Sequence, residues 1–382
     1  MQDNKVFKSR VSGKLAIAQV IDSTDTGGAE RIAIQLANRF AASGLVSHLL
    51  VTRKLGALRE QIDPAVHLFV LNRHHTIEFK AVRQALSYIR MQNIQILHAH
   101  SKTSAYWCVV WNRIGNLRAR IVFHDHTGSY ALLSPWQRRV DEFFDRIVLK
   151  SVHGVVGVSA HHVDRDRRLL SSFGIPAILV HNGINLADFG CHRQSLNGLC
   201  IIQTANVTPK KGHLHVADIG AHLDRLVEGF KWLCIGSLAD QKYFLQIARR
   251  LAEKNLQNKV YFLGMRTGVR SLLARATVGV LTSDDEGMPL ALLEYMAAGL
   301  PVVVTAVGEC SRVVEAAGCG FVIPCGKPVE FAEAIAWLVN NPEQAKAMGE
   351  RGREAVEKYY SLDLVPAHIL DFYGRILEQE KC

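Results

Sequence analysis

Residues 278–304 restrict the fold of this chain more than any other stretch. An apolar run at 278–281 leads into Asp284, Asp285 and Glu286; Gly287 and Pro289 then open an apolar helical run carrying one carboxylate, Glu294. Gly299 stops that run, and Pro301 starts a second apolar strand. Strand, turn, helix and strand within about 28 residues is the spacing of a βαβ unit, which requires a parallel sheet covered by helices. Ligands of such sheets sit at the carboxyl ends of strands, where Asp284 to Gly287 fall.

The turn running through Gly287, Met288, Pro289 and Leu290 lies at a helix N-terminus, whose unsatisfied N–H groups and positive dipole end attract phosphate or sugar oxygens. Glu286 and Glu294 can each accept paired hydrogen bonds from vicinal hydroxyls, as on a hexose or a ribose. The plainer alternative is that the three acids only cap the helix electrostatically and Glu294 is solvated.

Glu286 and Glu294 with seven residues between them, the core EGMPLALLE and the following AAGLPVV resemble the EX7E signature of glycosyltransferase family 4, group 1. The resemblance implies the GT-B fold, an α/β architecture of two Rossmann-like doubly wound parallel-sheet domains facing across a cleft. It also implies a retaining transferase that uses a nucleotide-activated sugar.

At 382 residues the chain is long enough for two domains with separate cores. Its eight cysteines form no C-x-x-C pair, so neither a zinc site nor a disulfide framework is expected, and a reducing cytoplasmic setting follows. The opening MQDNKVFKSR is polar, and no apolar run approaches the roughly 18 residues of a membrane span. Charge is uneven: residues 1–190 hold 24 Lys and Arg against 14 Asp and Glu, whereas residues 191–382 hold 21 of each. A basic first half can meet nucleic acid, an anionic membrane surface or an acidic substrate, or can serve solubility alone. No aromatic interleaving or recognisable module supports nucleic acid.

Along the chain, residues 15–21 read as a first strand, followed by DSTDTGGAER and an amphipathic helix that stops at Gly44. Gly27 and Gly28 permit close approach of backbone to a ligand, although G-x-G-x-x-G is absent. Among family-4 enzymes TGGAER is a frequent form of this segment and lies across from the donor diphosphate. Strands at 48–53, 67–71, 94–100 and 121–123 continue the alternation with helices. The last two bring His98, His100, His124 and His126 to neighbouring strand ends. A metal site is conceivable for four histidines, but only Asp125 adds a further ligand, so none is expected. The resemblance places His126 against the donor sugar, with His124 as the competing choice, and His100 and His124 toward the acceptor; either ring would donate to a sugar hydroxyl.

Residues 132–148 form an amphipathic helix with Trp136, Phe143 and Phe144 beside Arg138, Arg139 and Arg146; it docks on an anionic bilayer or buries its aromatics in the domain. The runs VSAHH, FGIP and HNGIN match the family's end of its first domain. The domain plan is therefore an N-terminal acceptor-side domain over 1–188, a linker over 189–198, a nucleotide-sugar domain over 199–360, and a C-terminal helix over 361–382 crossing back to the first domain.

In the second half, Lys210, Lys211 and Gly212 precede a helix, a position suited to diphosphate. The resemblance makes Lys211 the diphosphate lysine. Asn206 stands where the family usually has an arginine, with Lys210 or Arg266 as compensating cations, and the backbone around Gly264 to Arg266 flanks the nucleobase. No D-x-D pair is present, so no metal and no cofactor is expected, the nucleotide-sugar being a substrate.

These readings combine into a hexosyltransferase moving sugar from a nucleoside-diphosphate sugar, UDP-linked first among them, to a glycan or lipid-linked acceptor in envelope polysaccharide, lipopolysaccharide or glycoconjugate synthesis. Its setting would be cytoplasmic, with peripheral membrane contact through the basic domain. A non-catalytic scaffold of the same fold, kept open by Asn206, and a sugar-nucleotide epimerase are the alternatives.

Overall fold

The computed structural model describes residues 15–75, 78–126, 136, 139, 142, 146–190, 198–266 and 268–378. Two compact units divide the chain: the residues up to His181 with those from Asp363 onward, and Asn182–Leu362.

The first unit holds strands β1 (Ala16–Ser23), β2 (Val46–Lys54), β3 (His67–Val70), β4 (Ile96–Ala99), β5 (Arg120–Asp125), β6 (Gly154–Gly157) and β7 (Ala177–Leu179). They form one parallel sheet in the order β3-β2-β1-β4-β5-β6-β7. Helices α1 (Gly28–Ala42), α2 (Phe79–Met91), α3 (Lys102–Gly115) and α4 (Ala160–Leu170) connect them. Strand β1 is buried at every position from Ala16 to Ile21, as expected of a parallel strand covered on both faces. Helix α1 ends where the sequence places its stop, with Gly44 at φ 80°.

The second unit repeats the plan with β8 (Leu199–Thr204), β9 (Phe230–Ile235), β10 (Val260–Phe262), β11 (Val278–Leu281), β12 (Val302–Thr305) and β13 (Gly320–Ile323), in the order β10-β9-β8-β11-β12-β13. Its helices are α5 (His215–Leu223), α6 (Gln241–Glu253), α7 (Val269–Leu273), α8 (Leu290–Ala297), α9 (Cys310–Ala317), α10 (Pro328–Asn340) and α11 (Pro342–Tyr359). In each sheet the order reverses direction beside the first strand, at β1/β4 and at β8/β11, and such a reversal opens a crevice at the strands' carboxyl ends.

Helix α8 is fixed to this sheet by Tyr295. Its ring lies over Gly279 of β11, where a Cβ would collide with it, and its hydroxyl accepts a hydrogen bond from the Thr204 amide at 2.5 Å. Burying that ring contributes about 2 to 3 kcal/mol.

The last helix, α12 (Val365–Glu378), belongs to the first unit. Phe372 and Ile376 fill the space that a side chain at Gly154 would take, and the Tyr373 hydroxyl pairs with His98 Nδ1. The two units meet at 181/182 and 362/363, where the sequence plan has 188/189 and 360/361. Residues 182–188 go with the second unit because Asn182 Nδ2 donates to the Met288 carbonyl at 2.8 Å, Ile184 bridges Ser361, and Asp188 pairs with Arg270 at 2.6 Å. The expected linker falls mostly on 191–197, outside the described residues, as does most of the expected helix at 132–148.

Candidate functional site

The βαβ unit at 278–304 carries a dense polar network. Beyond β11, Thr282 and Ser283 are buried, and the chain runs against the loop that follows β8. The Asp284 amide donates to the Lys210 carbonyl at 2.9 Å, and Thr282 Oγ1 donates to the Gly212 carbonyl at 3.1 Å. Gly212 sits at φ 61°, and a Cβ there would collide with the Thr282 carbonyl. Only glycine tolerates both demands. The two loops are thereby held in register.

That register pairs three consecutive acids with two lysines and a histidine. Lys211 Nζ lies 2.7 Å from each carboxylate oxygen of Glu286. Lys210 Nζ meets Asp285 at 3.3 Å, and His215 Nε2 meets Asp284 at 2.8 Å. Glu286 is 6% exposed and receives a further hydrogen bond from Ser283 Oγ at 2.8 Å. Behind it, Gly308 at φ 53° abuts the Glu286 and Gly287 carbonyls, and the Glu309 amide donates to the Gly287 carbonyl at 2.8 Å. Glu286 is a fixed carboxylate, bonded at both oxygens.

Glu294 is half-buried on α8. Pro289 is the N-cap of that helix, its carbonyl accepting from the Leu292 amide, and Leu290 is its first residue. Lys210 and Lys211 precede a helix as the sequence implies: a short 3-10 turn over Pro209–Lys211 ends at Gly212, and α5 begins at His215. Asn206 is committed to the scaffold on one side: its Oδ1 accepts from the Ser237 amide at 3.0 Å, tying the β8 loop to the β9 loop. Its amide nitrogen is the remaining donor. Arg266 is exposed beyond β10, after Gly264 at φ 68°.

In the first unit the four histidines come together at the ends of β4 and β5. The rings of His98 and His100 stack at 4.6 Å, those of His124 and His126 at 4.0 Å. His100 Nε2 lies 2.7 Å from Gln19 Oε1, and His100 Nδ1 lies 3.0 Å from His126 Nε2. Burial is the leading cause in every case: it pushes His98 down to about 3, His126 to about 4, and His100 and His124 well below the usual imidazole value. The rings are therefore neutral near pH 7. Because an amide oxygen faces His100 Nε2, that nitrogen carries the proton, Nδ1 accepts, and His126 donates from Nε2. His126 Nδ1 is left as the acceptor of that ring.

His98, His100 and His124 each offer a ring nitrogen within 4.8 Å of the others, the one such trio among the described residues. An ion must lie in the plane of every imidazole that binds it. The His98 and His100 planes are 7° apart in a stack, and both His100 nitrogens already face side-chain partners.

Gly27 is the N-cap of α1 at φ −81° and Gly28 its first residue. The space beside Gly27 is taken by the Glu30 carboxyl, which burial raises above its ordinary value. Five participants were not singled out from sequence: Gln19, Ser283, His215, Gln203 and Tyr373. Two of them left a signal, since Gln19 and Gln203 are polar residues within the apolar runs of β1 and β8. Gln203 Nε2 reaches Thr282 Oγ1 at 2.9 Å, as Gln19 reaches His100, so each sheet uses a buried glutamine to brace the loop across its reversal point.

Two family models cover most of the chain. The model for Glycosyltransferase Family 4 matches residues 26–188, and that for Glycosyl transferases group 1 matches residues 192–355. The chain belongs to the group 1, family 4 glycosyltransferases. Among curated relatives, the UDP-Gal:alpha-D-GlcNAc-diphosphoundecaprenol alpha-1,3-galactosyltransferase of Escherichia coli is 22% identical over 315 residues, 75% of this chain and 78% of that one. The N-acetyl-alpha-D-glucosaminyl L-malate synthase of Bacillus anthracis is 29% identical over 151 residues, which is 40% of this chain and 39% of that relative. Among solved structures, sucrose-phosphate synthase from Thermosynechococcus elongatus superposes with a TM-score of 0.81 at 18% identity, covering 96% of this chain and all of that one. Anabaena HepE in complex with UDP and glucose gives 0.78 at 17% identity, covering 94% and 100%. The fold is GT-B, with two Rossmann-like parallel-sheet domains. Among the described residues no helix is long and apolar enough to cross a membrane.

Proposed function

We propose that this glycosyltransferase moves a hexose from a nucleoside-diphosphate sugar, UDP-linked in first place, to a lipid-linked or glycan acceptor of envelope polysaccharide, lipopolysaccharide or glycoconjugate synthesis. It does so with retention and without a metal ion. The observation that carries the reading is the Lys211–Glu286 pair at the reversal point of the second sheet. The donor's diphosphate takes the Lys211 ammonium, and Glu286, still held by Ser283, turns its freed edge to the sugar hydroxyls. Glu294 takes the ribose hydroxyls; Gly287, Met288, Pro289 and Leu290 line the same turn. As the sugar–phosphate bond breaks, negative charge grows on the leaving phosphate beside a lysine already in place, which is the preorganised stabilisation that lowers such barriers. The departing phosphate takes the acceptor's proton on the same face. His126 receives a hydrogen bond from a sugar hydroxyl at Nδ1.

The E. coli relative is named for a UDP-sugar donor and a diphosphoundecaprenol acceptor, and the Anabaena structure holds UDP and glucose. Both support the donor class, and the first supports the lipid-linked acceptor. The test is acceptor-free donor hydrolysis in EDTA, followed by proton NMR. Release of the donor's own anomer, undiminished by EDTA, supports the reading; the opposite anomer or an epimerised nucleotide-sugar overturns it.

A further inference from the structure

Helices α2 and α3 present a face that a soluble surface gives no reason to leave bare. Phe79, Met91 and Ile114 are 85%, 71% and 66% exposed and border one groove of about 660 Å³, floored by Val82 and Leu86. They share this face because Gly115 lets the helices close up: Leu86 occupies the space a Cβ at Gly115 would need, and Arg90 donates to the Gly115 carbonyl at 2.6 Å. Clustered protruding apolar side chains mark an interaction surface.

Charge indicates what covers it. Residues 79–124 contain seven Lys and Arg and no Asp or Glu. Lys80, Arg83, Arg113 and Arg118 are exposed on or beside these helices. A second copy related by a two-fold axis would set this face against itself and oppose cation to cation. An anionic bilayer answers both features, since its headgroups attract the cations and its acyl boundary accepts the apolar tips.

We propose that the α2–α3 face docks the chain on an anionic membrane surface, with Phe79, Met91 and Ile114 entering the acyl boundary. This site differs from the helix at 132–148 that sequence pointed to. The inference deepens the lipid-linked acceptor reading and rests on it for its biological sense, but its test needs neither donor nor acceptor.

The test is flotation of the full chain with vesicles of phosphatidylcholine alone or with about 30% phosphatidylglycerol, at low and high salt. Partition should be at least about tenfold higher on anionic vesicles and should fall as salt rises. Each cation near the surface is worth roughly fivefold, so Lys80→Glu/Arg83→Glu/Arg118→Glu should lose about a hundredfold or more. Phe79→Ser/Met91→Ser/Ile114→Ser should lose at least about tenfold. All six side chains are exposed, so unchanged melting temperatures will show both variants folded. Equal partition on neutral vesicles overturns the proposal, as does full binding by either variant. So does a wild-type dimer that the apolar variant abolishes, which would assign the face to a second copy. Vesicle binding without any UDP binding would sink the donor reading and leave this one standing.

Discussion

Lys211 Nζ stands 2.7 Å from both oxygens of Glu286, and the flanking acids Asp285 and Asp284 are matched to Lys210 and His215. The structure therefore holds Lys211 and Glu286 as an ion pair. Removing the cation strands a carboxylate that is 6% exposed, with Ser283 as its remaining side-chain donor in this network. Lys211→Met should cost about 2 kcal/mol, below the usual range for a broken buried pair because the lysine is 29% exposed. Glu286→Gln keeps the Ser283 bond and should cost about 1 kcal/mol. Urea unfolding of both variants checks the order; equal losses would contradict it.

The histidine stack makes the first unit acid-sensitive. Burial lowers these pKa values in the folded state, so between the unfolded value of 6.5 and the folded values near 3 to 4 the unfolded chain binds more protons. Stability is fully present above pH 6.5 and is lost as pH falls toward 4. His98 alone should contribute a loss of about 2 kcal/mol between pH 7 and pH 5. Urea midpoints at the two pH values, with His98→Gln flattening the dependence, provide the measurement.

The hydrogen-bond chain from Gln19 through His100 to His126 assigns tautomers. Nitrogen-15 NMR of the imidazoles at pH 7 should show His100 and His126 neutral and protonated at Nε2. In Gln19→Leu the His100 assignment should loosen while His126 stays neutral. Nδ1–H at His126 would reverse its role toward a sugar hydroxyl.

Two glycines with positive φ should respond differently to alanine. Gly308→Ala places a Cβ against the Glu286 and Gly287 carbonyls and should cost about 3 kcal/mol or more. Gly44→Ala meets nothing within 4 Å and should cost about 1 kcal/mol, the left-handed backbone alone. Thermal melts compare the two.

Much of this architecture was legible from residues alone, because parallel strands buried on both faces read as unbroken apolar runs and their Gly and Pro punctuation marks the turns. Glu286 and Lys211 stood out as charges beyond the ends of such runs, and Glu294 as the one charge inside an apolar helix. Contacts between distant segments were not legible. Nothing near Lys211 announces that its partner is Glu286, 75 residues on, and nothing in LDLVPAHILDFYGRIL announces that Tyr373 meets His98. Nor did the basic composition of the first half say where its apolar counterpart lies, since Phe79 and Ile114 become neighbours only through packing at Gly115.

The measurement that bears most directly on the central claim is calorimetric titration with UDP, GDP and ADP in EDTA, for the wild type, Lys211→Met and Glu294→Ala. The account predicts that one nucleoside diphosphate, UDP first, binds the wild type without metal and that each variant binds at least about tenfold more weakly. Binding that persists unchanged in Lys211→Met, or that appears only when a divalent metal is restored, would contradict it.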